Sequence, residues 1–261
     1  MIVYKLPLRI IFAWVIHSIA WSQGKTVLIP GEKITYSIHY SFINAAHIEV
    51  FTDTNIYETN SKPCYKSTVR GTTRGVAGLF AKISDRWESF IDTSTSQSHK
   101  FVRDINENNY RLYETTEFDR DFGHVYVTTK TGAQSYELKT HKITSSVQDM
   151  VSCYYDLRYY SFNNIKKNDT IKLQFFIQDT TITMHVKYLK RDKIRTAIGK
   201  YKSYILSPIL PDINHSIFSK SDPVKIWISD DATHIPLRIR LSTKYGAIEA
   251  EIDNYEVIRK K

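Results

Sequence analysis

Apolar and polar residues alternate with a period of two through much of this chain. In Lys33–Tyr40 the apolar positions are Ile34, Tyr36, Ile38 and Tyr40, with polar residues between them. The same alternation recurs in Thr170–Gln178, Thr181–Tyr188, Val224–Ile228, Leu237–Leu241 and Ile248–Ile252. A period of two places one face of a strand on a core and the other toward water. Because parallel strands have continuous apolar runs, this pattern predicts antiparallel strands.

Composition and turn spacing agree with a strand-rich chain. Of 261 residues, 42% are hydrophobic, and 18 tyrosines against 3 methionines favour strands over helices. Short turns at Asp179-Thr180, Asp230–Thr233 and Tyr245-Gly246 separate the runs, and such links join antiparallel neighbours. The last three strands are therefore predicted to form a meander. Since no linker, repeat or low-complexity tract interrupts the chain, residues 23–261 are predicted to form one β-rich domain.

One segment has helical spacing instead. In Ser145–Tyr159, apolar residues including Val147 and Tyr154 fall on one helical face. Ser145 and Gln148 fit a capping box at its start. A weaker helical turn is predicted over Val76–Lys82. The predicted fold class is all-β, mainly antiparallel: a curved sandwich or open barrel with one helix packed against it.

The N-terminal segment has the layout of a secretory signal peptide. In residues 1–22, Lys5 and Arg9 precede an apolar run, Ile10–Ile19, and small residues of Ala20–Ser22 provide a cleavage site. The run is short for a bilayer span, and no later stretch is long enough. We therefore expect a cleaved signal, no membrane span after cleavage, and export to the periplasm or envelope of a Gram-negative bacterium. An N-terminal anchor or a buried strand is the alternative.

The formal net charge is +9, with the basic residues spread along the chain. Without a basic cluster or a recognition module, nucleic acid is not an expected partner. A basic exported protein can meet anionic lipid headgroups or acidic polysaccharide, although the charge also serves solubility alone.

Five segments, in this order and spacing, resemble a known family. They are Pro30–Ala46, Asp85–Asp92, Gln148–Arg158, Trp227–Asp231 and Ile235–Ile239. The chain is similar, from about Pro30 to Ile258, to the exported bacterial family of domain of unknown function 3108, in its Bacteroidetes type.

The resemblance implies an envelope location and a strand-rich fold, but it implies no established activity. The chain departs from the family where Ala45-Ala46 replaces a common glycine and where Cys153 replaces a small residue.

Signatures of familiar chemistry are missing from the sequence. It contains no G-x-S-x-G, H-E-x-x-H, P-loop or C-x-x-C motif. The glycine-rich stretch Gly71–Gly78 lacks the Lys-Ser/Thr of a phosphate-binding loop and is interpreted as a turn. The nine histidines are scattered, so neither a metal centre nor another cofactor is predicted.

The two cysteines, Cys64 and Cys153, allow one pairing. An oxidising compartment would permit a disulfide between them, and the alternative is a pair of buried thiols. A nucleophilic role is not favoured because Cys153 has no histidine near it in sequence.

Two groups of polar residues are candidate sites. Asp85 and Arg86 belong to a dense charged group in which paired carboxylates could act as acid and base, or simply form a salt-bridged strand end. On the predicted helix, the candidates for a ligand-binding stripe are Asp149, Ser152, Tyr155 and Arg158. An Arg and a Tyr at the mouth of a cavity can hold an anionic headgroup or a sugar carboxylate, whereas a helix docked on the sheet uses the same residues structurally.

Three functions remain open. The first is non-enzymatic binding of an apolar or amphipathic envelope molecule, such as a lipid, glycolipid or envelope polysaccharide, which predicts a cavity. The second is an enzyme acting on envelope polysaccharide or peptidoglycan, which requires Asp85, Asp149 and Arg158 to meet in a cleft. The third is an envelope assembly or interaction factor, which predicts an exposed apolar patch or strand edge. A non-enzymatic role ranks ahead of catalysis.

Overall fold

A computed structural model describes residues 28–41, 43–75, 77–210 and 222–259. The strands are β1 (Glu32–Tyr40), β2 (Ile43–Thr59), β3 (Lys62–Thr73), β4 (Ser84–Asp92), β5 (Ser98–Glu107), β6 (Tyr110–Asp119), β7 (His124–Thr131), β8 (Glu137–Lys142), β9 (Thr170–Ile177), β10 (Thr180–Thr196), β11 (Gly199–Ile209), β12 (Val224–Ser229), β13 (Pro236–Thr243) and β14 (Gly246–Val257). The helices are α1 (Ala77–Phe80) and α2 (Met150–Tyr159). The predicted signal peptide, residues 1–22, lies outside the described ranges.

These strands form one 14-stranded antiparallel sheet in the order β8-β7-β6-β5-β4-β3-β2-β1-β14-β13-β12-β11-β10-β9. β1 lies at the middle of the sheet, and the strands that follow it run outward to β8. The chain then crosses through α2 to the opposite edge, at β9, and returns strand by strand to β14, which pairs with β1. The sheet is curved but not closed, which confirms the predicted all-β fold with one packed helix.

The alternating sequence runs become strands with one buried face. In β1, Ile34 and Tyr36 are buried, and Ile252 of β14 is buried beside them in the same core cluster. The predicted meander is confirmed by the registers of β12 with β13 and of β13 with β14. At the β9–β10 hairpin the turn residues are Gln178 and Asp179, both with positive φ, one position earlier than predicted. Two positive φ values suit the twist of a tight hairpin.

The helix α2 begins five residues later than predicted. Its N-cap is Asp149, which forms a capping box with Ser152, so the box predicted at Ser145 and Gln148 is wrong. Gln148 is extended instead: its N–H donates to the Gln174 carbonyl at 2.9 Å, and its carbonyl accepts from the Phe176 N–H at 2.8 Å. These bonds to β9 replace the helical hydrogen bonds that an earlier start would require.

The helix lies against the concave face of the sheet and contacts both halves. Cys153 and Leu157 pack in a core cluster with residues of β9, β10, β11 and β12. Val151 and Tyr155 pack in a second cluster with residues of β4, β5, β6 and β7. Because both sides of α2 are covered, most of its side chains are buried.

The two free edges of the sheet approach each other without backbone pairing. Asp179, after β9, forms an ion pair with Lys139 at 2.9 Å and lies 3.4 Å from His141 Nε2, both from β8. The Arg120 guanidinium donates to the Ser145 and Val147 carbonyls at 2.8 and 3.1 Å. The Asp179 carboxylate therefore spans the seam between β8 and β9, and Arg120 holds the segment that follows β8. Within the ranges described, no helix is long and apolar enough to cross a membrane.

Candidate functional site

The first helix candidate, Asp149, is fully buried and bonded on every side. Its carboxylate accepts hydrogen bonds from the Val151 and Ser152 amides at 2.7 and 2.8 Å. It also accepts from the hydroxyls of Ser89, at 2.5 Å, and Ser98, on β4 and β5. Burial raises the pKa of Asp149, while these donors act in the opposite direction. The carboxylate anchors the start of α2 to the sheet.

Tyr155 anchors the middle of the helix. Its hydroxyl bonds to Thr52 of β2 at 2.9 Å and to Ser67 of β3 at 2.8 Å. Burial raises the pKa of Tyr155 well above the ordinary tyrosine range. A buried phenol with two hydroxyl partners has its hydrogen-bonding capacity used internally.

Arg158 anchors the end of the helix through a bidentate pair with Glu32 of β1. The two N···O distances are 2.6 and 2.8 Å, and the side chains are 0% and 1% exposed. The Arg158 Nε also donates to the Thr233 carbonyl at 3.1 Å. The pair therefore ties α2 to the centre of the sheet and to the β12–β13 loop.

The polar groups of the stripe thus hold the helix in place, while Arg158 also lines a cleft beside the end of α2 and Tyr155 a smaller cavity. Asp149, Ser152, Tyr155 and Arg158 are all buried, and each has a partner inside the protein. This is the structural alternative that the sequence left open.

Asp85 and Arg86 are not part of the helix stripe. Asp85 accepts from the Asn106 amide at 2.9 Å, and Arg86 pairs with Asp104 at 3.0 Å, so both are bound to β5. Burial, followed by the charge of Asp85, raises the pKa of Glu107. The geometry here is that of a salt-bridged strand end.

Both cysteines are free and buried. Cys153 packs in the core cluster that includes Leu157, whereas the Cys64 thiol donates to the Lys62 carbonyl at 3.5 Å. Burial raises the pKa of Cys64 to about 11 and that of Cys153 further. Both thiols are therefore protonated and poor nucleophiles at neutral pH.

An open cleft of about 590 Å³ lies where α2 meets the β12–β13 loop. Its polar and aromatic rim includes Tyr159, Tyr160, Asn163, Asp230, Asp231 and His234. Tyr159 is 43% exposed and also borders a smaller cavity of about 210 Å³ beside Asp156. Burial raises the pKa of Asp156 to about 6. Of the sequence candidates, Arg158 also lines the cleft and Tyr155 the smaller cavity, and the other rim residues were not candidates.

The β12–β13 loop is held by its own polar residues. The Asp231 carboxylate accepts from the Ser229 hydroxyl at 3.0 Å and from the Thr233 amide at 2.9 Å, which fixes the turn. His234, with φ of 45°, donates from Nδ1 to the Arg158 carbonyl at 2.7 Å. Because a carbonyl only accepts, Nδ1 carries a proton.

Buried aromatic rings support the cleft from below. The rings of Phe162 and Tyr204 stack at 4.6 Å, and the His234 ring stands edge-on to Phe162 at 5.0 Å. Asp230 lies 3.4 Å from the Arg191 Nε, and the Arg191 guanidinium donates to the Tyr204 hydroxyl. The cleft thus offers ring faces, hydroxyls, an amide and carboxylates, a mixture that suits hydroxyl-rich and partly apolar ligands.

Among the residues the structure describes, no group of three or more His, Cys, Asp or Glu side chains could hold a metal ion. The carboxylates of the cleft are bonded to the loop and to Arg191 instead.

The fold and cleft define a β-barrel-like protein whose open sheet is packed with a single crossing helix. The chain belongs to the family of proteins of unknown function DUF3108, whose model matches residues 35–253. This confirms the family resemblance seen in the sequence. No curated protein matches the chain.

Two solved structures that match the chain have very different sequences from it. A β-barrel-like protein of domain of unknown function DUF1849 from Brucella abortus has a TM-score of 0.57 at 9% identity, over 88% of this chain and 99% of that one. A protein regarded as exported, with a YmcC-like fold, from Bacteroides fragilis has a TM-score of 0.34 at 9% identity, over 88% and 98%. At such identities the Brucella structure supports the fold alone.

Proposed function

We propose that this protein is exported to the cell envelope of a Gram-negative bacterium and binds an amphipathic envelope molecule without catalysing a reaction. The observation that carries this proposal is the cleft at the end of α2, with its mixed aromatic and polar rim. The ligand class that fits is a glycolipid, because ring faces contact sugar C–H groups while hydroxyls and carboxylates bind sugar hydroxyls. Export rests on the signal-like layout of residues 1–22.

Because α2 fills the concave face of the sheet, we favour a ligand that binds through a polar headgroup over a wholly apolar ligand. The helix and its clusters cover much of that face, so an apolar molecule would compete with core residues such as Leu157 and Phe175. The cleft, in contrast, is open to solvent and needs no displacement of the core. A headgroup can bind there while its lipid chain stays outside.

The polar geometry supports binding over catalysis. An enzyme built from the sequence candidates would need Asp85, Asp149 and Arg158 in one cleft. Asp85 is bonded to β5, Asp149 to two serine hydroxyls, and Arg158 to Glu32.

The first test is native mass spectrometry of the protein purified from the periplasm, followed by organic extraction. A co-purifying glycolipid is expected. Titration with dodecyl maltoside below its micelle concentration then provides a defined probe, with maltose and dodecanol as comparisons. Tighter binding of dodecyl maltoside than of either comparison is expected.

A matched pair of variants locates the binding. Tyr159→Ala removes an exposed ring of the cleft, and Tyr245→Ala removes a more exposed ring at the β13–β14 turn. Loss of one aromatic contact, worth about 0.5–1.5 kcal/mol, should weaken binding about two- to tenfold for Tyr159→Ala only. Equal effects of the two variants, or no binding by the unaltered protein, would contradict the proposal.

A further inference from the structure

A row of polar side chains crosses the concave face of the sheet away from the cleft. The strand registers place Trp87 of β4 opposite Arg103 of β5, Arg103 opposite Glu114 of β6, Glu114 opposite Thr129 of β7, and Thr129 opposite Glu137 of β8. Directly opposite residues point to the same face of a sheet. The row therefore runs from the sheet interior to the free edge at β8.

The centre of this row is a buried ion pair. Arg103 Nη1 donates to Glu114 Oε1 at 2.9 Å, and each side chain is 9% exposed. The Thr129 hydroxyl lies 3.5 Å from the other Glu114 oxygen. Because the carboxylate neutralises the guanidinium, the pair carries no net charge toward its surroundings.

Two N–H donors in the row have no acceptor. The Trp87 Nε1 and the Arg103 Nε are shielded from solvent and have no hydrogen-bond partner in the described part of the chain. Indole and guanidinium nitrogens only donate, so neither atom can be satisfied by a neighbouring donor. Buried donors without acceptors are rare in proteins because their desolvation is not compensated. Two of them on directly opposite residues form a matched pair of donors.

Apolar side chains also lie beside these donors. The Trp87 ring stands edge-on to Phe101, at 6.4 Å between centroids, and Ile105 is buried two positions beyond Arg103 on the same strand face. An occupant of this region therefore combines an acceptor with an apolar body.

We propose that Trp87 and Arg103 form a second binding site, distinct from the cleft, for an uncharged hydrogen-bond acceptor on an apolar chain, such as the carbonyl of an acyl ester. Glu114 determines the charge selectivity, because it already balances Arg103. A carboxylate ligand would add a second negative charge beside Glu114 and is disfavoured.

The test titrates the full-length protein with 1-monolauroylglycerol, below its aggregation concentration, and with laurate at the same chain length. Calorimetry or native mass spectrometry reports the affinity. The ester should bind and laurate should bind more weakly. Trp87→Phe keeps an aromatic ring but removes the donor, so it should weaken ester binding about three- to tenfold. Trp227→Phe, at a tryptophan whose ring lies near Arg238, is the matched control and should leave binding unchanged.

A charge variant tests the selectivity separately. Glu114→Gln removes the balancing charge, so the variant should prefer laurate to the ester. If Glu114→Gln does not fold, the comparison of Trp87→Phe with Trp227→Phe still tests whether the ester binds at Trp87. Tyr159→Ala should leave ester binding intact, which separates this site from the cleft.

Three results would overturn the proposal. They are the absence of ester binding, equal affinity for the ester and laurate, and equal effects of Trp87→Phe and Trp227→Phe. The first and third results would mean that no ligand acceptor binds the two nitrogens, and the second that Glu114 does not determine charge selectivity.

Discussion

The buried pair between Arg158 and Glu32 allows the sharpest prediction about stability. In Glu32→Gln the side chain keeps its size but loses its charge, which leaves the guanidinium of Arg158 buried without a counter-charge. The pair is almost fully excluded from solvent and bidentate, at 2.6 and 2.8 Å. Removing one member of such a pair costs about 3–5 kcal/mol.

That loss should be visible in a thermal or urea denaturation experiment. For a domain of this size, 1 kcal/mol corresponds to about 2–4 °C, so the melting temperature should fall by about 6–20 °C. Asp104→Asn is the matched control, because Asp104 forms a half-exposed pair with Arg86. Its effect should stay below about 1 kcal/mol.

The double variant Glu32→Leu/Arg158→Met completes the experiment. With both charges replaced by apolar side chains, no unpaired charge remains buried, so this variant should be more stable than Glu32→Gln. A Glu32→Gln protein as stable as the Asp104→Asn control would refute the reasoning. It would mean that water or a local rearrangement reaches Arg158.

Two further predictions concern titration and thiol chemistry. Because burial raises the pKa of Asp156 to about 6, the folded state holds its proton more tightly than the unfolded state, and stability should fall as pH rises from about 4 to 6. In Asp156→Asn this part of the pH dependence should vanish, and stability at pH 7 should rise. Urea midpoints measured at pH 4.5 and 7 would show both effects. A pH dependence equal to that of the unaltered protein would contradict the raised pKa of Asp156. Cys64 and Cys153 are free and buried, so neither should react with a thiol reagent in the native protein. Both should react once the protein is unfolded in guanidinium without reductant. If the two formed a disulfide, no thiol would react under either condition.

The sequence predicted most of the sheet because local patterns determine it. Alternation in Lys33–Tyr40 and in the later runs requires only that one face be buried, and the structure has strands at each of them. The start of α2 depended on a longer-range effect. Gln148 has residues around it that suit a helix, but its backbone pairs with β9, a strand more than twenty residues later. No local sequence pattern shows that the Gln148 backbone pairs with β9 instead of joining the helix.

The cleft was missed for a similar reason. Asp230 and Asp231 were interpreted as part of a turn, Asp230–Thr233, and they do lie in one, whereas His234 was not singled out. Their position beside the end of α2 follows from the topology, which brings a helix after β8 to a loop after β12. The row from Trp87 to Glu137 also could not be predicted from the sequence. Each of its residues is a single position on a separate strand, and only the strand register places them side by side.

The buried polar contacts of α2 explain how an unclosed sheet keeps one curvature. Backbone hydrogen bonds do not join β8 to β9, so the pairing of strands alone does not fix how far the two edges lie apart. The helix does so, because Asp149 is bonded to β4 and β5, Tyr155 to β2 and β3, and Arg158 to β1. Apolar packing would tolerate sliding or rotation of the helix, whereas these directional bonds are satisfied in one position only. Arg158 extends the same constraint to the cleft, since its Nε and its carbonyl bind Thr233 and His234. The residues that fix the helix therefore also fix the shape of the cleft, which Arg158 itself lines.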